Sequence, residues 1–456
     1  MMKVVMFKRV AAVALLAVAL SGCSTVKGWF AGKDAEAKKA AEPAELVDFT
    51  PSVKVDEIWS TGAGKGEKRI GVRQRPAVAD GKVYVAAASG SVYALDLQTG
   101  KTLWEYDAKK ARKERLNQIE EQPDEEQSNT VADESTKDLS KDERAAYKQR
   151  LRNEKQQAKE RKRIEKKRPL SRFTGGPGVG DGLVVVGGLN GEVIALDAAT
   201  GTEKWRAKVP NEVIAAPAVS QNLVFVRSND GRTTAFDAAT GQQRWFNTQE
   251  LPTLTVRGNA PVVAGPGVVF IGNDDGTLAA LAMQDGRPLW EQTIGVPEGR
   301  TELERMSDVD GAPVLEGTTV YATSFKNETL ALEGPSGRPL WTRDHGGPGG
   351  IGVSANSVVV ADNAGSVWAL DKSTGSATWS QAALARRSLT GVAIQGDYAV
   401  VGDYKGYLHW LKLDNGEIAA RERVGRKALL AQPVVADGIL LVQNTKGDLT
   451  AFRLGQ

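Results

Sequence analysis

The chain has 456 residues, about three times a typical single domain, with 41% apolar residues, 25% charged residues and 49 glycines. That composition excludes collagen-like, membrane-embedded and wholly disordered classes, and leaves either several domains or one large repeat architecture. The single cysteine excludes an intramolecular disulfide or a cysteine-cluster zinc site, the two histidines (His345, His409) lie far apart, and a formal net charge of +3 gives no global field for nucleic acid.

Lys3, Lys8 and Arg9 precede an apolar run over 10–20, which falls well short of the ~20 residues that a membrane-spanning helix needs. Residues 1–22 therefore read as a secretory signal peptide. Ser21 and Gly22 stand directly before Cys23, and this stretch resembles a bacterial lipobox. The resemblance implies cleavage before Cys23 and lipidation of that residue. Ser24 follows in place of the aspartate associated with inner-membrane retention, which implies an outer-membrane destination. An ordinary signal peptide with a chance cysteine is the competing reading. Residues 23–54 are rich in Ala, Lys and Glu without sustained apolar periodicity, which predicts a tether between anchor and folded body.

From residue 57 to the end the sequence repeats itself. Residues 90–96 (GSVYALD) recur at 191–197 (GEVIALD), 231–237 (GRTTAFD) and 365–371 (GSVWALD), with degenerate copies at 276–282, 327–333, 406–412 and 447–453. Four copies continue as D-x-x-T-G, at 96–100, 197–201, 237–241 and 371–375. A tryptophan stands four residues after the turn glycine at Trp104, Trp205, Trp245, Trp290, Trp341 and Trp379, with Ala420 in the seventh copy. Short β-rich runs separated by such turns predict four-stranded antiparallel meanders. A sheet apolar on both faces must pack against its neighbours, and radial closure protects its edges. The tryptophans, and the Asp and Thr of the turns, read as structural. The eighth copy stops before its tryptophan, whereas Trp59 near the start has no preceding repeat. The N-terminal strand is thus expected to complete the last blade, giving an all-β, eight-bladed β-propeller over 55–456.

A segment at 108–170 interrupts the repeat, with 19 basic and 14 acidic residues between 109 and 168. It is too polar to add to a core, and its composition over 138–167 suits a solvated helix, with a flexible loop as the alternative. The run 161–168 suits anionic headgroups or an acidic partner, or is simply a solvated charged face.

Because repeated residues maintain a propeller, departures from repetition mark candidate functional positions. Two consecutive links between blades are longer than the others. One carries Leu254, Val256 and Arg257, an apolar anchor beside a cation; the next carries Asp308 and Asp310. This combination suits a protein-binding hot spot with charge complementarity. Leu254 and Val256 packing beneath the loop, the two aspartates satisfying nearby backbone N–H groups, and a calcium site are the alternatives.

The lipobox, the ALD-x-x-TG-x-x-x-W repeat and the string RMSDVD at 305–310 together resemble the BamB family of outer-membrane assembly lipoproteins. The resemblance covers nearly the whole mature chain except 108–170. It implies a non-enzymatic scaffold without catalytic residues, cofactor or metal. Its implied partner is the set of periplasmic POTRA domains of BamA, with other assembly lipoproteins reached through BamA and unfolded outer-membrane proteins as further candidates. Leu254, Val256, Arg257, Asp308 and Asp310 would be contact residues, and Val256 departs from the leucine associated with that place. A lipid-anchored scaffold of another envelope complex is a second reading. A PQQ-dependent dehydrogenase is a third, opposed by the lack of a vicinal cysteine pair and of an evident Asp/Glu/Asn metal cluster.

Overall fold

The computed structural model describes residues 42–64, 66, 74–120, 140–255, 260–296, 298–301 and 304–455. The strands form eight separate four-stranded antiparallel sheets. Seven are continuous meanders, from blade 1 (Ala77–Ala79 innermost, Thr102–Asp107 outermost) to blade 7 (Ala393–Gln395 innermost, Ile418–Arg423 outermost). Blade 8 takes three strands from the C-terminus, and Val55–Gly62 pairs antiparallel with Asp448–Leu454 as its outermost strand. The eight-bladed propeller closed by its N-terminal strand is therefore as the repeat implied.

Burial follows from the two-faced sheets. Eight apolar clusters each join one blade to the next, and blades 8 and 1 share the one containing Trp59, Val83, Leu95 and Leu449. The hydrophobic driving force thus acts between blades, which is why the ring must close.

The repeat's punctuation has a single geometric cause. Each outer-strand tryptophan reaches the third turn of the next blade and donates its indole N–H to a carbonyl there. Trp205 to Ala238 O is 2.7 Å, Trp245 to Met283 O is 2.9 Å and Trp59 to Leu97 O is 3.0 Å. The turn glycine lies flat against that ring. A Cβ on Gly241, where φ is +70°, would sit 2.6 Å from Trp205 Cδ2. Position and conformation both exclude a side chain. Asp237 Oδ1 accepts from Thr240 N at 2.9 Å and Thr240 Oγ1 at 2.9 Å, fixing the same turn. Blade 8 has no such turn, because its last two strands come from opposite ends of the chain. Ala420 of blade 7 accordingly has no turn to receive an indole. The chain around Ser52, whose N–H bonds Ala419 O at 2.8 Å, lies beside it instead.

Part of the segment read as a tether is seated on the propeller. From Glu42 onward the chain is docked: Ala44 N bonds Ala385 O at 2.9 Å, Arg387 donates to Ala44 O at 2.8 Å, and Arg421 donates to Val47 O at 3.1 Å while lying over Phe49. Val53 and Val55 then pack against the cluster shared by blades 7 and 8. Cys23 and the signal segment lie outside the described residues.

Within the insertion two helices are described, α1 (Ala108–Glu120) and α2 (Lys141–Lys167). Ser140 caps α2, bonding Glu143 N while Glu143 returns a bond to Ser140 N. The helix stops at Arg168, whose extended backbone suits the following Pro169. The base of the pair is bolted to the propeller, because Arg115 bridges Glu165 of α2 at 3.0 Å and Glu203 on the outer strand of blade 2 at 3.1 Å.

Candidate functional site

The two long links leave the outer strands of blades 3 and 4 and lead to the inner strands of blades 4 and 5, spanning 249–262 and 294–313. They flank a common feature, the turn at 273–276 in blade 4. Gln249 of the first link donates to Asp275 at 3.1 Å, and Val309 N of the second bonds Asn273 O at 3.1 Å. The second link is also held from its far side by blade 5, where Phe325 N bonds Asp308 O at 2.8 Å and Lys326 donates to Glu298 O at 2.7 Å. Near its middle, Glu304 accepts from Arg300 N at 2.7 Å and Thr301 N at 3.1 Å, which holds its carboxyl below the ordinary range. The links are thus seated on neighbouring blades.

Their apolar side chains are the notable surface. Leu251 and Leu254 on the first link are each 42% exposed, and Val296 on the second is 50% exposed. Ala260 and Val262 are buried, so the first link is pinned at its end, while residues 251–254 stand in solvent. Leu254 does not pack beneath the loop. Val256 and Arg257 lie outside the described residues.

The second link departs from the expected pair of outward carboxylates. Asp308 is fully buried and Val309 packs into the cluster between blades 4 and 5, whereas Asp310 is half-buried. The side chain of Asp308 therefore offers no surface to a partner, and its effect on one would come through the position of the link. The physical reason is the turn at 273–276, which covers the chain from one side while blade 5 covers it from the other.

Beneath this link lies a buried charge cluster that the motif reading missed. Arg227, at the end of the second strand of blade 3, pairs with Asp274 at 3.0 Å, and both are buried. The charges of Asp310, Asp275 and Asp308 also act on Arg227. Burial nevertheless pushes its guanidinium below the usual range and pushes the Asp274 carboxyl up, so desolvation outweighs the attraction on both sides of the pair. A signal was present in the sequence. The corresponding strand ends in the other blades are Ala87, Gly188, Gly272, Thr323, Ala361, Gly402 and Gln443, and Arg227 is the charged exception.

The central channel is a different surface, a cavity of about 580 Å³ lined by Pro76, Val78, Pro177, Pro217 and Val435, with Arg75, Asp80 and Asp437 as its ionisable groups. Asp80 and Asp437 occupy the first turns of their blades, both at positive φ.

Comparison with known proteins resolves what kind of propeller this is. The family model described as outer membrane protein assembly factor BamB matches residues 53–169, 133–381 and 374–454. The chain belongs to the BamB family. The protein of that name from Xanthomonas campestris pv. campestris is 71% identical over 456 residues, covering 100% of both chains. The one from Escherichia coli K12 is 33% identical over 428 residues, 94% of each chain. Among solved structures, BamB from Moraxella catarrhalis superposes with a TM-score of 0.68 at 23% identity, covering 88% of this chain and 100% of that one. A quinohemoprotein alcohol dehydrogenase from Comamonas testosteroni gives 0.59 at 15% identity, covering 90% and 78%. That second likeness is one of fold alone and carries no chemistry to this BamB-family chain.

Proposed function

We propose that this chain is a non-enzymatic scaffold of outer-membrane β-barrel assembly, held at the periplasmic face of the outer membrane by lipid on Cys23. It docks on the POTRA domains of a BamA-type subunit through the links at 249–262 and 294–313. The observation carrying this reading is the placement of Leu251, Leu254 and Val296, exposed on two consecutive links that are otherwise firmly seated. Exposed apolar groups on a preorganised frame suit the centre of a protein interface, because little conformational entropy is lost on binding. In this reading Leu254, Val256 and Arg257 contribute the anchor and the cation, Asp310 contributes the opposing charge, and Asp308 sets the link from below. Other assembly lipoproteins would be reached through the barrel subunit, and unfolded barrel proteins would be its clients.

Co-purification of the tagged, lipidated protein from detergent-solubilised envelopes tests this. Wild type is compared with Leu254→Asp, with Leu251→Ser/Val296→Ser and with Leu254→Ala/Arg257→Ala. Recovery of a BamA-like barrel protein by wild type, and a tenfold or greater loss from variants with unchanged far-UV circular dichroism, is the expected result. Recovery unaffected by all three would remove the links from the interface, and recovery of no barrel protein by wild type would remove the scaffold role.

A further inference from the structure

We propose that helix α2 is a surface-binding arm for anionic lipid headgroups, steering the propeller on the membrane to which the N-terminus leads. The inference goes beyond the docking role and rests on its Cys23 anchor only for the choice of membrane.

The arrangement of charge along α2 carries the argument. At 3.6 residues per turn, nine cations from Lys141 to Lys166 fall within one arc of about 100°. They are Lys141, Arg144, Lys148, Arg152, Lys155, Lys159, Lys162, Arg163 and Lys166, and the stripe runs for roughly 38 Å. All five acids of the helix (Asp142, Glu143, Glu154, Glu160, Glu165) lie outside that arc. Lys141, Arg152, Lys155, Lys159 and Lys166 are exposed or half-exposed, and none is in an ion pair among the described residues. A solvated helix with no partner gains from mixing its charges at i,i+4 spacing, as Arg150 and Glu154 do at 2.9 Å on another face. Within the stripe Arg163 does pair with Glu160 at 2.8 Å, whereas Lys141, Arg152, Lys155, Lys159 and Lys166 forgo that gain and repel one another.

The stripe also lacks what a protein partner would need. It is mostly lysine, without an aromatic or apolar anchor, whereas protein interfaces are depleted of lysine and are held by buried anchors. A laterally mobile array of phosphates requires no anchor, only density of charge. The arm is rigid at its root, where Arg112 donates to Glu165 O and Lys166 O at 2.7 Å each and Arg115 bridges Glu165 and Glu203.

The chain's path places a membrane within reach. Arg386 donates to Glu42 O at 2.7 Å, which seats the N-terminal segment on the link after Ala377–Gln381, an outer-to-inner link. The arm is rooted on another link of that kind, after Thr102–Asp107. All such links leave the ring at one end, since every blade is the same antiparallel meander. Residues 23–42, even fully extended, reach at most about 65 Å. Anchor and arm thus start from one end of a body confined near the bilayer, and two signals hold a protein at a membrane more firmly than one.

The test uses the mature chain carrying Cys23→Ser, so that no acyl chain contributes, in sedimentation with extruded vesicles. The vesicles are phosphatidylcholine alone or with 30% phosphatidylglycerol, at low and high salt. One variant removes stripe charge (Lys141→Gln/Arg152→Gln/Lys155→Gln/Lys159→Gln) and a second changes only cations off the stripe (Arg150→Gln/Arg161→Gln). At about a fivefold effect per engaged cation, the first variant should lose at least about tenfold in binding to anionic vesicles. The second should stay within about threefold of wild type, and salt should abolish the difference. Equal binding to both vesicle types, equal loss in the two variants, or a stripe dependence seen only toward an acidic protein would overturn the proposal. None of these outcomes bears on the links at 249–262 and 294–313, whose docking role stands or falls on its own experiment.

Discussion

The pairing of each tryptophan with the turn glycine of the next blade makes a quantitative expectation that neither residue gives alone. Gly241→Ala places an L-residue at φ near +70° and a methyl 2.6 Å from Trp205 Cδ2. The left-handed backbone costs about 1–2 kcal/mol, and the steric overlap about 1–3 kcal/mol more. Trp205→Ala removes a buried indole packed against Phe236 together with its 2.7 Å bond to Ala238 O, a loss of about 3–5 kcal/mol. In the double variant the indole, which supplies the three atoms nearest to the new methyl, is gone, so that overlap vanishes and the backbone cost remains. The double should therefore be more stable than the sum of the singles by about 1–3 kcal/mol. Equilibrium urea denaturation followed by far-UV circular dichroism measures each corner of the cycle. Coincident transitions by a second probe would establish that one ΔG applies to the whole ring. If the two costs add within about 0.5 kcal/mol, the glycine is not there for the tryptophan, and the account of the repeat given above is wrong.

Restoring the repeat's tryptophan as Ala420→Trp should destabilise by about 1–3 kcal/mol, because Ala420 is buried and blade 8 has no turn to receive the ring; a raised urea midpoint would contradict this. His409 is buried with Nε2 3.2 Å from Asp403 and Nδ1 3.4 Å from the donating Arg421 Nε, the pattern of a neutral ring, and Arg387 also pairs with Asp403. Burial pushes its pKa down, so the unfolded chain takes up the proton first as pH falls. The stabilisation is present above about pH 6.5 and lost progressively below it, and wild type should lose more stability than His409→Gln between pH 8 and pH 5 in urea titrations. Leu254→Asp should leave stability within about 0.5 kcal/mol while weakening recovery of the barrel subunit, whereas Asp308→Asn, at a buried site, should lower stability by about 1–3 kcal/mol. A reversed pattern would mean that Leu254 belongs to the core and Asp308 to the surface.

The fold was legible because most blades restate it in local signals. The D-x-x-T-G turn, the tryptophan four residues on and the β-rich runs are each readable within a few residues, and the unmatched tryptophan strand at Trp59 discloses the closure. The candidate site was legible only as location. Link lengths marked 249–262 and 294–313, but which side chains face outward depends on what covers the link, and that cover comes from turns remote in sequence. Asp308 lies under such cover. Docking of 42–54 escaped the reading for a related reason. Leu46 and Phe49 were visible as isolated apolar residues, and their partners on blades 6 and 7 are more than 300 residues away.

The concentration of departures on one kind of connection follows from how the ring is held. Inside a blade, the first turn is a tight one with positive φ, as at Asp80 and Gly81. The second is capped by its own side chains, as where Asp403 accepts from Lys405 N and Tyr407 N. The third is clamped by a neighbour's indole. Lengthening any of these would break a ladder or a blade contact. The outer-to-inner link alone joins strands that do not pair with each other, so it can grow without disturbing either sheet. Both long links, the helical insertion and the seat of the N-terminal segment all use it. Since these links share one end of the ring, the proposed docking surface and the proposed membrane arm fall on a common rim. The opposite end, made of clamped turns, keeps the ring closed while that rim diverges.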